Sequence, residues 1–153
     1  MSAKKQYTYD YPRPAVTADC VVFADDRLEG LSVLLIERLN DPYKGFWAFP
    51  GGFLEMGETL PEAASRELEE ETGLIISAEK LKEVGCFSAV NRDPRGRVVS
   101  IAFTVLTDKA PVTGRDDARK AEWFPVSQLP PLAFDHGEIL QRSLTFYKPV
   151  CGF

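Results

Sequence analysis

Two stretches near the start of the chain, "AVTADCVVFA" (residues 15–24) and "LSVLLIER" (31–38), are rich in aliphatic and β-branched residues and are separated by the turn-like "DDRLEG". They predict a pair of strands. A third, shorter strand is expected around "FWAFP", running into Gly51 and Gly52. Thr59 then stands as the N-cap of a helix, with Glu62 three residues on to complete a capping box, Pro61 in the first turn and Gly73 placed to end it. Beyond it, "KEVGCFSAV" and "VVSIAFTVLT" predict two strands joined by "NRDPRGR", and "AEWFPV" a last short one. The closing "FDHGEILQRSLTFY" reads as a helix with Asp135 as its N-cap and with Ile139, Leu140, Leu144 and Tyr147 on one face. Strands and helices are mixed, so an α/β fold with one helix on each side of a sheet is the simplest packing. No repeat, low-complexity tract or long linker interrupts the pattern, and residues 1–153 are expected to form a single domain.

Composition narrows the function classes. The chain is 44% hydrophobic and 27% charged, as a globular domain is. With 18 Lys and Arg against 23 Asp and Glu, its formal charge of -5 repels polyanions, so nucleic acid is not expected as a main partner. The apolar runs "CVVFA" and "SVLLI" fall far short of the ~20 residues of a membrane span, and "MSAKKQYTYDYPRP" has no apolar signal core. A cytoplasmic protein without membrane contact is expected. Cys20, Cys86 and Cys151 are far apart and form no C-x-x-C pair, and His136 is the one histidine. That pattern supports neither zinc nor a disulfide framework, and Cys20 and Cys86 read as small core side chains in strands.

The helix after Thr59 carries the candidate chemistry. Glu67, Glu70 and Glu71 share a face at helical spacing, while Leu60, Ala64 and Leu68 form an adjoining apolar stripe that can pack on the sheet. Converging carboxylates suit a hard divalent cation such as Mg²⁺ or Mn²⁺, which would also cancel their mutual repulsion; the alternative is a solvated acidic face.

The wider pattern decides between those two. From Gly52 the chain reads G-x5-E-x7-R-E-U-x-E-E-x-G-U with U aliphatic, placed on Gly52, Glu58, Arg66, Glu67, Leu68, Glu70, Glu71, Gly73 and Leu74. At about 7% abundance for each of the seven residues of fixed identity, a chance match at one start point is on the order of 10⁻⁸. The segment resembles the signature of the Nudix hydrolases at every specified position. The resemblance implies an α/β/α sandwich with a mixed sheet and hydrolysis of a nucleoside diphosphate linked to another moiety. It implies that Glu67, Glu70 and Glu71 hold the metal, with a backbone carbonyl near Gly52 as a further ligand, and that Glu58 pairs with Arg66. Bound metal would neutralise the pyrophosphate and make hydroxide available near neutral pH. Arg66 can lock neighbouring carboxylates in a fork geometry that a lysine lacks, and Gly51 and Gly52 let the backbone come close to metal and phosphates. An acidic group outside the box is also implied: Asp117 is favoured as general base, with Glu122 as rival and a solvated loop carboxylate as the alternative.

The substrate is read from "NRDPRGRVVSIAFTV", whose turn brings together Arg92, Arg95 and Arg97. Guanidiniums beside an acidic metal site can grip a diphosphate or a terminal ribose in bidentate fashion. With "LAFDH" and "YDYPRPAVTADCVVF", this segment resembles the branch of the family that acts on ADP-ribose, although that branch often carries a proline where this chain has Val90. ADP-ribose, cleaved to AMP and ribose 5-phosphate, is the expected substrate. A nucleoside triphosphate pyrophosphatase and a non-catalytic ADP-ribose sensor are the alternatives, and only "KPVCGF" follows the last helix where a sensor's DNA-binding domain would stand. Tyr7, Tyr9, Tyr11, Phe46, Trp47 and Phe134 are candidates for stacking a purine, with Trp47 and Phe134 read first as core, and His136 is either a polar site residue or a structural one. Relatives often dimerise, so a homodimer is an expected form.

Overall fold

The computed structural model describes residues 5–26, 28 and 30–147. Cys151, the rest of "KPVCGF" and part of the "DDRLEG" turn lie outside the described residues. Among the described residues, seven strands and two α-helices follow one another as β1 (Ala15–Asp26), β2 (Gly30–Arg38), β3 (Trp47–Ala48), β4 (Gly51–Phe53), α1 (Leu60–Thr72), β5 (Lys82–Phe87), β6 (Val98–Thr107), β7 (Ala118–Pro125) and α2 (His136–Leu144). The sheet runs β3-β2-β1-β6-β5, with β4 paired to β1 and β7 to β2. It is mixed: β1 lies parallel to β6 over Ala15↔Val98 through Ala24↔Thr107 and antiparallel to β2.

Alternation along β1 sorts its side chains between two cores. Ala18, Cys20 and Val22 face α1 and pack with Ala63, Ala64 and Leu68; Val21 and Phe23 face α2 and pack with Ile139 and Leu140. A sheet buried on both faces needs apolar residues at both parities, and the near-continuous run "CVVFA" supplies them. The same parity puts Asp19 on the α2 side.

α1 starts and stops as expected. The Thr59 side chain accepts from the Glu62 N–H, and Gly73 closes the helix at φ 79° with its N–H on Glu69 O. The C-terminal helix also presents the expected face, with Ile139 and Leu140 buried and Leu144 and Tyr147 packed against them. Three expectations need correction. Asp135 is the N-cap residue of α2, but its side chain makes no capping bond, because Arg92 holds the carboxylate. Cys86 is exposed, since the inward position at the end of β5 belongs to Phe87. β7 begins at Ala118, earlier than "AEWFPV", because pairing with β2 extends to Arg38↔Ala118.

Candidate active site

A cavity of about 460 Å³ opens where α1, the β3–β4 segment, the β5–β6 loop and the start of α2 meet. Its acidic wall is organised by Arg66. That guanidinium grips Glu58 through both arms (2.8 and 2.6 Å), donates to Glu67 (2.9 Å) and Glu70 (3.2 Å), and reaches Phe53 O (3.2 Å). The Glu58–Arg66 pair that the family resemblance implies is present, and hydrogen bonding from Arg66 holds the Glu58 carboxyl below its ordinary range. One cation serving three carboxylates removes the repulsion that "RELEEE" would otherwise carry into the helix.

The three helix glutamates do not sit alike. Glu71 is 5% exposed and accepts from the Gly51 N–H at 2.7 Å. Burial, reinforced by Glu67 and Asp19 and only partly offset by that hydrogen bond, pushes its carboxyl up to about 9. Glu67 also lines the cavity and is shifted upward by burial, against the pull of Arg66. Its carboxylate rests against Gly52 so closely that a Cβ there would fall 2.5 Å from Oε1, so a side chain at this position would push the carboxylate from its place. Glu70 stays outside the cavity wall, with its side chain 43% exposed and resting on Arg66.

Beside this wall stands a buried polar group that sequence reasoning did not assemble. Asp19 accepts a short hydrogen bond from Ser100 and faces His136 Nε2 at 3.9 Å. His136 Nδ1 accepts from the Phe49 N–H (3.1 Å), which leaves the ring proton on Nε2, toward Asp19. Burial keeps His136 below its ordinary range and so neutral, and its ring stacks on Phe49 at 5.0 Å and 16°. Leaving the Phe49 amide unpaired in this place would cost about 1–3 kcal/mol. The signal available in the sequence was Asp19, a charge placed directly before the apolar run 20–24 of the first strand.

The arginines separate in the same way. Arg92 is 4% exposed in its side chain and forms a bidentate pair with Asp135 (2.8 and 2.6 Å). Arg95 is clamped by Asp93 while its guanidinium lies over Phe53 (5.1 Å) and Phe134 (5.6 Å). Arg97 donates to Ala89 O and is not part of the cavity wall. The cavity gains instead Arg38, which donates to Pro42 O (2.7 Å) and lies over Phe134 at 5.0 Å. No carboxylate among the described residues closes an ion pair with Arg38, and burial, with Arg95 nearby, lowers its pKa. Phe134 lines the cavity at φ 51°, a backbone conformation uncommon for a non-glycine residue. Trp47 packs on Phe124 in the core (4.8 Å), and Tyr7, Tyr9 and Tyr11 are exposed away from the site. Asp117 lines the cavity, whereas Glu122 is exposed on β7 and does not.

The acidic wall has an oxygen-only donor set suited to a hard divalent cation. A glutamate raised to about 9 by burial lacks the positive charge such an ion would bring. Among the described residues no three His, Cys, Asp or Glu side chains already stand close enough to grip an ion, since Glu67 and Glu70 are turned to Arg66. The residues fit a cation in kind and in burial.

Residues 13–143 match the NUDIX domain family. The chain belongs to the Nudix family. It is 45% identical over 131 residues to an ADP-ribose pyrophosphatase of Methanocaldococcus jannaschii, covering 86% of this chain and 73% of that protein. It is also 38% identical over 139 residues to the ADPR-responsive transcriptional repressor NtrR of Acinetobacter baylyi, covering 88% of this chain and 54% of the repressor. In structure it is similar to the Nudix domain of Shewanella oneidensis NrtR in complex with ADP-ribose, with a TM-score of 0.84, 27% identity, and coverage of 92% of this chain and 94% of that one. The α/β architecture with its mixed sheet is thus that of Nudix proteins, and among the described residues no helix is long and apolar enough to cross a membrane.

Proposed function

We propose that this Nudix protein hydrolyses the pyrophosphate bond of ADP-ribose, yielding AMP and ribose 5-phosphate, with Mg²⁺ or Mn²⁺ as cofactor. One observation carries the reading: a single cavity sets the box carboxylates Glu67 and Glu71 against a wall of Arg38, Arg95 and Phe134. A ligand that spans it needs a diphosphate on one side and a planar or sugar group on the other. The 45% identity to an ADP-ribose pyrophosphatase supports that substrate.

Glu67, Glu71 and a Gly52 backbone carbonyl would hold the cation, with Glu70 as a further ligand at the rim. When bound, it would neutralise the diphosphate and lower the pKa of a water. Arg66 orients Glu58, Glu67 and Glu70 for that task. Asp117 is assigned the general base that takes the proton of the attacking water. Arg38 and Arg95 bind the diphosphate, and Phe134 offers a ring for stacking. Arg92 acts at one remove, fixing Asp135 at the start of α2. The net charge of -5 supports a small nucleotide and not DNA as partner. The protein is read as a cytoplasmic single-domain protein, with a homodimer as the form its relatives lead one to expect.

The sensor reading is favoured by the likeness to NtrR. The intact set Glu67, Glu70 and Glu71 around Arg66 favours catalysis. A Mg²⁺-dependent panel of ADP-ribose, NADH, dinucleoside polyphosphates and nucleoside triphosphates, with products identified by mass, tests the proposal. AMP from ADP-ribose as the preferred reaction supports it. Preference for a triphosphate, or ADP-ribose binding without turnover of any compound, overturns it.

A further inference from the structure

Phe49 lies between β3 and β4, is 2% exposed, and gives its N–H to a side chain 87 residues further along the chain, His136 Nδ1. The histidine is fixed from several directions. Its own N–H donates to Ala133 O (3.1 Å), Ala133 N–H donates to Trp47 O (2.7 Å), its ring stacks on Phe49, and its Nε2 faces Asp19. Its neighbour Asp135 is locked to Arg92. The backbone it holds leads directly into the acidic wall: Pro50 O accepts from the Cys20 N–H (2.8 Å), the Gly51 N–H binds Glu71, and Gly52 carries the surface against which the Glu67 carboxylate rests. The ring edge borders the cavity, but both ring nitrogens are turned to protein groups, Phe49 and Asp19.

We propose that His136 is a positioning residue, whose Nδ1 sets the path of backbone 49–52 and so the placement of Gly51 and Gly52 against Glu71 and Glu67. Its kinetic consequence rests on the hydrolase reading; its geometric consequence does not. A phenylalanine at this position would keep the ring and its stacking but leave the Phe49 amide without its partner, while Asp19 keeps Ser100. An asparagine would lose the ring but place an amide oxygen close to where Nδ1 stands.

The test compares wild type, His136→Asn and His136→Phe in the full chain by three readouts: kcat and KM for ADP-ribose with Mg²⁺, hydrogen exchange of the Phe49 and Gly51 amides, and titration with Mn²⁺ alone. The Phe variant is expected to lose roughly 10- to 100-fold in kcat with KM close to wild type, to exchange both amides faster and to bind Mn²⁺ more weakly. The Asn variant is expected to recover most of all three. Wild-type kcat in the Phe variant, equal impairment of both variants, or a loss confined to KM overturns the proposal. Should the Phe variant not fold, His136→Gln, whose amide reaches past the Nδ1 position, takes its place with the same expectations. Should wild type leave ADP-ribose intact, the hydrolase reading fails on its own, and Mn²⁺ affinity and amide exchange then decide: unchanged values in all variants overturn the positioning role, and loss with recovery by Asn supports it.

Discussion

Glu71→Gln isolates the electrostatic cost that an acidic site carries without its cation. In the folded protein the Glu71 carboxyl is raised to about 9 from an ordinary 4.5, chiefly by burial. Between those values the folded state keeps a proton that the unfolded state releases, so stability falls as pH rises, by up to about 1.4 kcal/mol per pH unit. From pH 5 to pH 8 that amounts to about 4 kcal/mol as a ceiling, with water in the open cavity reducing it. This is a large part of the ~5–15 kcal/mol that holds a typical domain together. A glutamine keeps an oxygen for the Gly51 N–H and cannot ionise, so the contribution vanishes. Urea unfolding in EDTA, followed by the fluorescence of the two tryptophans, should give similar stabilities for both proteins at pH 5 and a more stable variant at pH 8. Mg²⁺ should then raise wild type at pH 8 far more than the variant, because the ion stabilises the fold in proportion to its affinity. Parallel pH curves for the two proteins, or equal gains from Mg²⁺, would refute the reasoning.

Other substitutions separate roles that the sequence groups together. Glu70→Gln should keep wild-type melting, since Glu70 is exposed, yet lose most turnover of ADP-ribose; near-normal kcat would remove it from the metal set. Arg92→Ala should destabilise by about 3 kcal/mol in urea unfolding, because it strands the Asp135 carboxylate, whereas Arg97→Ala should stay within about 0.5 kcal/mol and leave KM unchanged. Arg38→Ala should raise KM for ADP-ribose roughly tenfold or more, as loss of a charged hydrogen-bond donor does, and an unchanged KM would show that the diphosphate is held elsewhere.

Much of the fold could be read in advance because each element carries a local physical cause. Thr59 and Gly73 bracket α1 by capping chemistry, and β6 ends where its apolar run ends, at Thr107. The box could be read for the same reason, since a helix converts sequence spacing into shared faces. Contacts that depend on tertiary register were out of reach. Asp19 and His136 meet because strand parity turns Asp19 toward α2 and a backbone segment from Pro131 to Ala133 runs beside Trp47, and nothing local to either residue encodes that meeting. The β5–β6 loop shows the converse error: spacing in "NRDPRGR" put three arginines near one turn, but spacing does not say which carboxylate each will meet.

Those carboxylates change how an acidic protein can bind an anion. Arg92 is spent on Asp135 and Arg95 is shared with Asp93, so neither presents a full charge to the cavity. Arg66 is likewise consumed by the glutamates of its own helix and loop. Arg38 closes no ion pair among the described residues and sits in a partly buried place, where the loss of part of its hydration lowers its pKa. A diphosphate entering there would bring Arg38 a counter-charge at close range, and a divalent ion would do the same for an ionised Glu71. Arg38 and the Glu71 carboxyl line the same cavity, so one ligand, a metal-bound diphosphate, would give the arginine a counter-charge and let the glutamate ionise. Neutral analogues of ADP-ribose should for that reason lose affinity on both walls, and their binding should depend little on either Mg²⁺ or Arg38.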